Sequence, residues 1–132
     1  MWELVPRSGK CIKYGGWEKY DDAKIHCKEI APIGTVGNLI SITDSETLKV
    51  MKDLMTYGDH RTGGYLLGGN WHWSDGSKWS FTNWSPNEPN NAGGIEDKVC
   101  IRSDGKFNDC TSGKESWAYY EKVARPFYCQ YK

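Results

Sequence analysis

The sequence predicts an α+β fold, on three observations. Two stretches near the N-terminus carry apolar residues at helical spacing. The remainder breaks into short aromatic-rich segments divided by Asp-Gly and Gly-Gly turns, the pattern of strands and hairpins. Helices grouped at one end and strands at the other fit segregated layers better than alternating βαβ units. With 132 residues, the chain is expected to form a single domain, 1–132, around one core.

Residues 1–10 read as irregular, and Leu4-Val5-Pro6-Arg7 is taken as part of the native chain. Cys11-Ile12-Lys13-Tyr14 alternates as a strand and is expected to end at Gly15-Gly16. The first helix should run from Trp17 or Lys19 to Glu29, with Tyr20, Ala23, Cys27 and Ile30 on its inward face and Pro32 and Gly34 as stops. A short strand follows at Leu39-Ile40-Ser41-Ile42. Thr43-x-x-Glu46 reads as a capping box opening a second helix, whose stripe is Leu48, Met51, Leu54 and Met55. Tyr65-Leu66-Leu67 reads as a buried strand. Hairpins are expected around Asp75-Gly76, between Trp71 and Phe81, and around Asp104-Gly105, between Val99 and Asn108. Phe127 to Tyr131 closes the chain as a strand. Residues 82–97, with two prolines and four asparagines, read as a long loop, and loops of that length usually carry function.

Composition excludes several classes. Net charge is zero, with 17 basic and 17 acidic residues and no basic run, which argues against a nucleic-acid surface. No stretch approaches the ~20 apolar residues of a membrane span, and no signal-type apolar region is present, so the chain reads as mature or trimmed. Five cysteines without a C-x-x-C pair argue against zinc and for structural disulfides, hence a secreted or extracellular protein. His26, His60 and His72 have no metal spacing. His60-Arg61-Thr62-Gly63-Gly64 lacks the lysine and following helix of a phosphate loop. No nucleophile–base pair stands out, so no enzyme is expected; glycoside hydrolysis by Glu88 and Glu96 is a weaker reading.

The loop and the hairpin after it hold the candidate site. Glu88, Asn90, Glu96, Asn108 and Asp109 bring three carboxylates and two amides together within 22 residues. All five offer oxygen, and none offers thiolate or imidazole. That donor set suits Ca²⁺, which takes about 6–8 oxygen ligands in a flexible shell.

These segments, in order, resemble a C-type lectin-like domain over nearly the whole chain. The matching parts are Trp17 to Cys27, Leu39 to Thr43, Trp79-Ser80-Phe81-Thr82-Asn83-Trp84, Glu88-Pro89-Asn90, Glu96-Asp97, Asn108-Asp109 and Phe127-Tyr128-Cys129. The resemblance implies the C-type lectin fold, with two helices packed on short antiparallel sheets and a long irregular calcium-binding loop. It implies that Glu88, Asn90, Glu96, Asn108 and Asp109 hold both a calcium ion and a sugar, with a cis Glu88-Pro89 bond. Spacings of eight from Glu88 to Glu96 and twelve from Glu96 to Asn108 match mannose-binding members. The acid-then-amide order of Glu-Pro-Asn is similar to the mannose-type arrangement, for mannose, GlcNAc, glucose or fucose on cell or microbial surfaces. Galactose-type members carry Gln-Pro-Asp and a nearby aromatic, absent from Asn91-Ala92-Gly93-Gly94-Ile95. The alternative is a protein- or surface-binding member, toxin-like or ice-binding, with a mainly structural calcium.

The resemblance also implies disulfides Cys27–Cys129 and Cys100–Cys110. The second pair is displaced from the family positions, here Lys98 and Ser112, by two residues at each end, which keeps both side chains on one face and is expected to keep the pairing register. Cys11 is left over. Its partner lies before Met1 in a longer chain, or it joins two chains, or it is a free thiol. The loop usually carrying acids for a second calcium is here Gly69-Asn70-Trp71-His72, shortened and without carboxylates; only Asn91 and Asp97 remain of that second site, so one principal calcium is expected. The stretch 111–125, longer than usual, carries Trp117, Tyr119 and Tyr120; they pack on the domain, or they wall the sugar or form a self-association patch. Trp79 and Trp84 read as packing residues, and the sequon Asn83-Trp84-Ser85 as unoccupied.

Overall fold

The computed structural model describes residues 1–113 and 124–132. Its elements are β1 (Glu3–Val5), β2 (Lys10–Glu18), α1 (Tyr20–Ile30), β3 (Asn38–Leu39), α2 (Ser45–Leu54), β4 (Asp59–Leu67), β5 (Asn70–Trp73), β6 (Lys98–Arg102), β7 (Phe107–Cys110) and β8 (Arg125–Tyr131). Strands lie in the order β1-β2-β8-β4-β6-β7, with β3 joined to β8 and β5 to β4. The pairings are antiparallel except for a parallel contact, Arg61 opposite Phe127, between β4 and β8. This is the expected α+β architecture, with the short sheets merged into one.

Both helices bury the stripes that their spacing predicts. In α1, Tyr20, Ala23 and Cys27 are buried and Ile30 packs at the margin. In α2, Met51 is buried, Met55 follows at the C-cap, and Leu48 and Leu54 pack against the same core. The cap differs from expectation by one residue. Asp44, not Thr43, is the N-cap, and its Oδ1 accepts from Thr47 N at 2.7 Å. A carboxylate there satisfies an orphan amide and faces the positive helix end.

Five strand expectations are corrected. Residues 1–10 are not irregular: Glu3–Val5 pairs with β2, and Val5 is completely buried. Strand β2 does not stop at Gly15-Gly16; it continues to Glu18 through a bulge, which Gly16 permits with φ 118°. Regular pairing at the third strand covers only Asn38–Leu39. The hairpin expected around Asp75-Gly76 lies earlier: β4 and β5 turn through Gly68-Gly69, and Asp75 follows β5. In β4 the buried part is 60–64, while Leu67 is exposed, because the N-terminal half of the strand lies between β6 and β8. The His60-to-Gly64 stretch is therefore interior strand. Arg61 is fully buried, donating from Nε to Glu18 O at 2.9 Å and from Nη1 to Thr111 O at 2.8 Å. Two glycines in this region are set by close approach. A Cβ at Gly64 would lie 2.6 Å from Val99, and one at Gly37 would collide with the Cys27 carbonyl.

A polar network crosses the core. Lys10 Nζ donates to Ser41 O at 2.7 Å, and Ser41 Oγ and Gln130 Nε2 donate to Asp75 Oδ2. Desolvation raises the Asp75 carboxyl, but hydrogen bonds from Ser41, Ser77 and Gln130 outweigh it and hold the group below its ordinary 3.8. A depressed carboxyl contributes stability that is present above the unfolded-state value and lost as pH falls through the folded-state value. Asp75→Asn is therefore expected to destabilise most at neutral pH. Its penalty should shrink below about pH 4, read as converging thermal midpoints of variant and parent. A penalty independent of pH would refute a role for the charge.

Candidate functional site

The loop 82–97 is fastened to the hairpin by backbone and by rings. Trp84 bridges Phe107 in parallel, Ser85 N donates to Phe107 O at 2.8 Å, and Phe107 N donates to Asn83 O at 2.8 Å. Trp84 packs on Phe107 and Trp71, with centroids 6.0 and 5.4 Å away, and Trp79 packs on Trp73 at 4.6 Å. These tryptophans are packing residues that set the base of the loop. The Asn83 amide donates to Gly105 O at 2.6 Å, which commits the nitrogen of the sequon to structure.

Beyond Ser85 the chain turns sharply. Asn87 and Asn91 are left-handed, with φ 68° and 49°, and the Glu88-Pro89 peptide is cis. Asparagine tolerates that region better than most side chains. This geometry aims the loop at the end of β7. Asp109 is 1 % exposed; its Oδ1 accepts from Asn90 N at 3.1 Å and its Oδ2 from Asn91 N at 2.6 Å. Asn108 donates from Nδ2 to Asp109 O at 3.1 Å, and its Oδ1 is buried without a protein hydrogen bond. Glu88 is held above the ordinary carboxylate range, by desolvation first and then by a hydrogen bond with Asp109 and by its charge. A second cluster forms at Ala92, whose N–H lies 2.9 Å from Glu96 Oε1 and 3.2 Å from Asn90 Oδ1. Asn91 Oδ1 in turn accepts from Glu96 N at 3.0 Å.

The structure thus brings Glu88 to Asp109 and Asn90 to Glu96, and the backbone of Asn90-Asn91 couples the two groups. Among the described residues no three acidic, histidine or cysteine side chains meet at one point. The donor set nevertheless fits a hard cation. It is all oxygen, it places two carboxylates against each other, and it contains a buried amide oxygen with no protein donor.

Two residues have parts in this site that the sequence reading did not assign. Asn91 links Asp109 to Glu96 through its backbone and side chain. Arg102, on β6, reaches Ser85 Oγ with Nη1 at 3.4 Å and lowers Glu88 through its charge. An exposed arginine in a hairpin carries no sequence signal; only strand pairing shows where it points. Asp97, considered for a second calcium, lies 3.1 Å from Lys98 Nζ.

Disulfides clamp the site from below. Cys27–Cys129 ties α1 to β8, and Cys100–Cys110 links β6 to β7. The register expected for the second bridge is corrected. Cys100 stands opposite Asn108 and Cys110 opposite Lys98, so the bridge runs diagonally instead of between directly facing residues. Both side chains still share a face with Asn108, because strand side chains alternate. Cys11 is half-buried and free among the described residues. Trp117, Tyr119 and Tyr120 lie outside the described residues.

Two helices, a disulfide-tied sheet and an irregular loop rich in oxygen ligands define a small binding module of extracellular type. A family model, Lectin C-type domain, matches residues 16–118, and the chain belongs to that family of carbohydrate-recognition domains. It is 33 % identical over 142 residues to an alpha-N-acetylgalactosamine-specific lectin of Patiria pectinifera, covering 94 % of this chain and 79 % of that one. It is 33 % identical over 113 residues to the low affinity immunoglobulin epsilon Fc receptor of Mus musculus, covering 82 % of this chain but 33 % of the receptor. In fold it matches the C-type lectin CEL-I from Cucumaria echinata, with TM-score 0.80, 20 % identity and coverage of 99 % and 94 %. It also matches the cow CD23 carbohydrate-recognition domain, solved in the presence of a GlcNAc2Man3 oligosaccharide, with TM-score 0.75, 25 % identity and coverage of 92 % and 86 %. The family consists of binding domains, not enzymes, and its members typically bind calcium.

Proposed function

We propose that the chain is a single calcium-dependent domain, 1–132, that binds mannose-type sugars through Glu88, Asn90, Glu96, Asn108 and Asp109. The observation that carries this reading is the buried Asn108 Oδ1 without a protein donor, beside an Asp109 carboxylate that holds the Asn90-Asn91 backbone. A calcium ion held by these residues would supply a cationic centre for the lone pairs of two vicinal hydroxyls of one sugar. The protein's part is orientation. Glu88 and Glu96 accept hydroxyl protons, while the amides of Asn90 and Asn108 donate. Asp109 keeps the loop in register from beneath. The acid-then-amide order of Glu88-Pro89-Asn90 supports equatorial 3- and 4-hydroxyls. The name of the Patiria pectinifera relative motivates a second reading, in which the same loop takes a galactose-type sugar.

The test is retention on mannose and galactose resins, with calcium and then with chelator. Mannose retention released by chelator is the expected result. Galactose preference would replace the first reading with the second, and retention that survives chelator would favour a surface-binding module. Acidification should also release the ligand, since the carboxylates must be deprotonated to hold the ion. One sugar engages few groups, so strong attachment to cell or microbial glycans would come from several domains acting together. A homodimer through Cys11 or the 111–125 stretch would supply two, and the disulfides suit a secreted or extracellular setting.

A further inference from the structure

A cleft of about 480 Å³ lies beside the loop, lined by Trp17, Tyr57, Asp59, Arg102, Ser103 and Arg125 among others. It follows one row of the sheet. Trp17 of β2 stands opposite Pro126 of β8, and Asp59 of β4 opposite Arg102 of β6. Adjacent strands are about 4.8 Å apart, so the row from β2 through β8 and β4 to β6 extends roughly 14 Å. That length and volume fall in the range of small-ligand sites.

The lining has two kinds of surface. Trp17 is 52 % and Tyr57 96 % exposed, so two rings meet one cleft without core packing among the described residues to account for them. A lone exposed aromatic needs no explanation; two sharing a cleft with a fixed polar floor are less ordinary. The floor is Asp59, whose carboxylate lies 3.4 Å from Arg102 Nε and 3.6 Å from Arg125 Nη1. Those ion pairs are long, and the carboxylate retains acceptor capacity while Arg102 retains donors. A pyranose has a C–H face that suits an aromatic ring, and hydroxyls at its edge that suit a carboxylate and a guanidinium. Arg102 also joins the cleft to the loop, its Nη1 3.4 Å from the Oγ of Ser85, three residues before Glu88.

We propose that this cleft is a second saccharide subsite, independent of metal, that holds inner residues of an oligosaccharide whose terminal sugar sits at Glu88 and Asn90. The choice of a saccharide rests on the reading of the loop given above. The two sites fail separately, because one needs calcium and the other does not.

The experiment titrates isotopically labelled protein with linear mannotriose, in excess calcium and in chelator, and follows amide and indole resonances. The indole N–H of Trp17 and the amides of Gly58 and Ser103 are expected to shift in both buffers, and the amides of residues 90–96 in calcium only. Trp17→Ala and Tyr57→Ala should each weaken mannotriose binding in calcium by about tenfold and leave methyl mannoside binding unchanged. Both rings are exposed, so the variants retain the fold, and unchanged dispersion of the spectrum checks that. Absence of shifts at Trp17, Gly58 and Ser103 in both buffers overturns the subsite, as does unaltered mannotriose affinity in both variants. Silence of residues 90–96 in calcium, with the Trp17 shift intact, overturns the loop reading and leaves the cleft standing.

Discussion

Asp109→Ala is expected to abolish calcium-dependent sugar retention, while Asp109→Asn removes retention with a smaller structural cost. The carboxylate is almost fully buried and accepts from the backbone of both Asn90 and Asn91. Truncation to alanine deletes both acceptors, at roughly 1–3 kcal/mol for a buried group left unsatisfied. Water reaches the exposed Asn90 and Asn91 and softens that cost. Asparagine keeps one acceptor oxygen and loses the negative charge, so it separates the two roles. The measurements are sugar retention with calcium and the denaturation midpoint of each variant. Equal retention by Asp109→Asn and the parent would remove Asp109 from the ligand set. Equal midpoints for alanine and parent would remove its hold on the loop.

Loss of the Cys27–Cys129 bridge is expected to carry the largest stability effect in the chain. Its cysteines are 102 positions apart, against 10 for Cys100–Cys110. Chain entropy assigns about 4.7 kcal/mol to a loop near a hundred residues and about 3 kcal/mol to one of fifteen. Paired Cys→Ala replacements, compared by denaturant unfolding, should therefore rank the long bridge above the short one. Sugar retention should rank them in reverse. The short bridge shares a face with Asn108 and lies next to Asp109, whereas the long one anchors α1 on β8 away from the loop. If both losses scaled together in stability and in binding, the short bridge would have no special part in shaping the site.

The local rules carried far into this fold. Helical spacing placed Tyr20, Ala23, Cys27 and Met51 inward, and each is buried. Asp104-Gly105 sits between β6 and β7 as turn chemistry requires. Errors arose where local chemistry had two outlets. Asp44 and Thr43 both suit a helix cap, and only the chain's approach decides which amide is met. Asp75-Gly76 has the composition of a hairpin turn, yet its carboxylate accepts from Gln130, 55 positions away. The paired glycines at 15 and 16 read as a strand end, but pairing with β8 on both sides of them carried β2 through as a bulge.

For the candidate site, the identity of the five oxygen donors and their spacing are written in the chain, because ligand chemistry is a property of residue type. So are the family and the cysteines available for bridging. Tertiary structure alone decided how those donors divide, with Asp109 beneath Asn90-Asn91 and Glu96 turned to Ala92. It also set the diagonal course of the second disulfide and brought Arg102 beside Ser85 and Asp59. These are matters of strand register and of contacts between residues distant in sequence, which periodicity cannot encode.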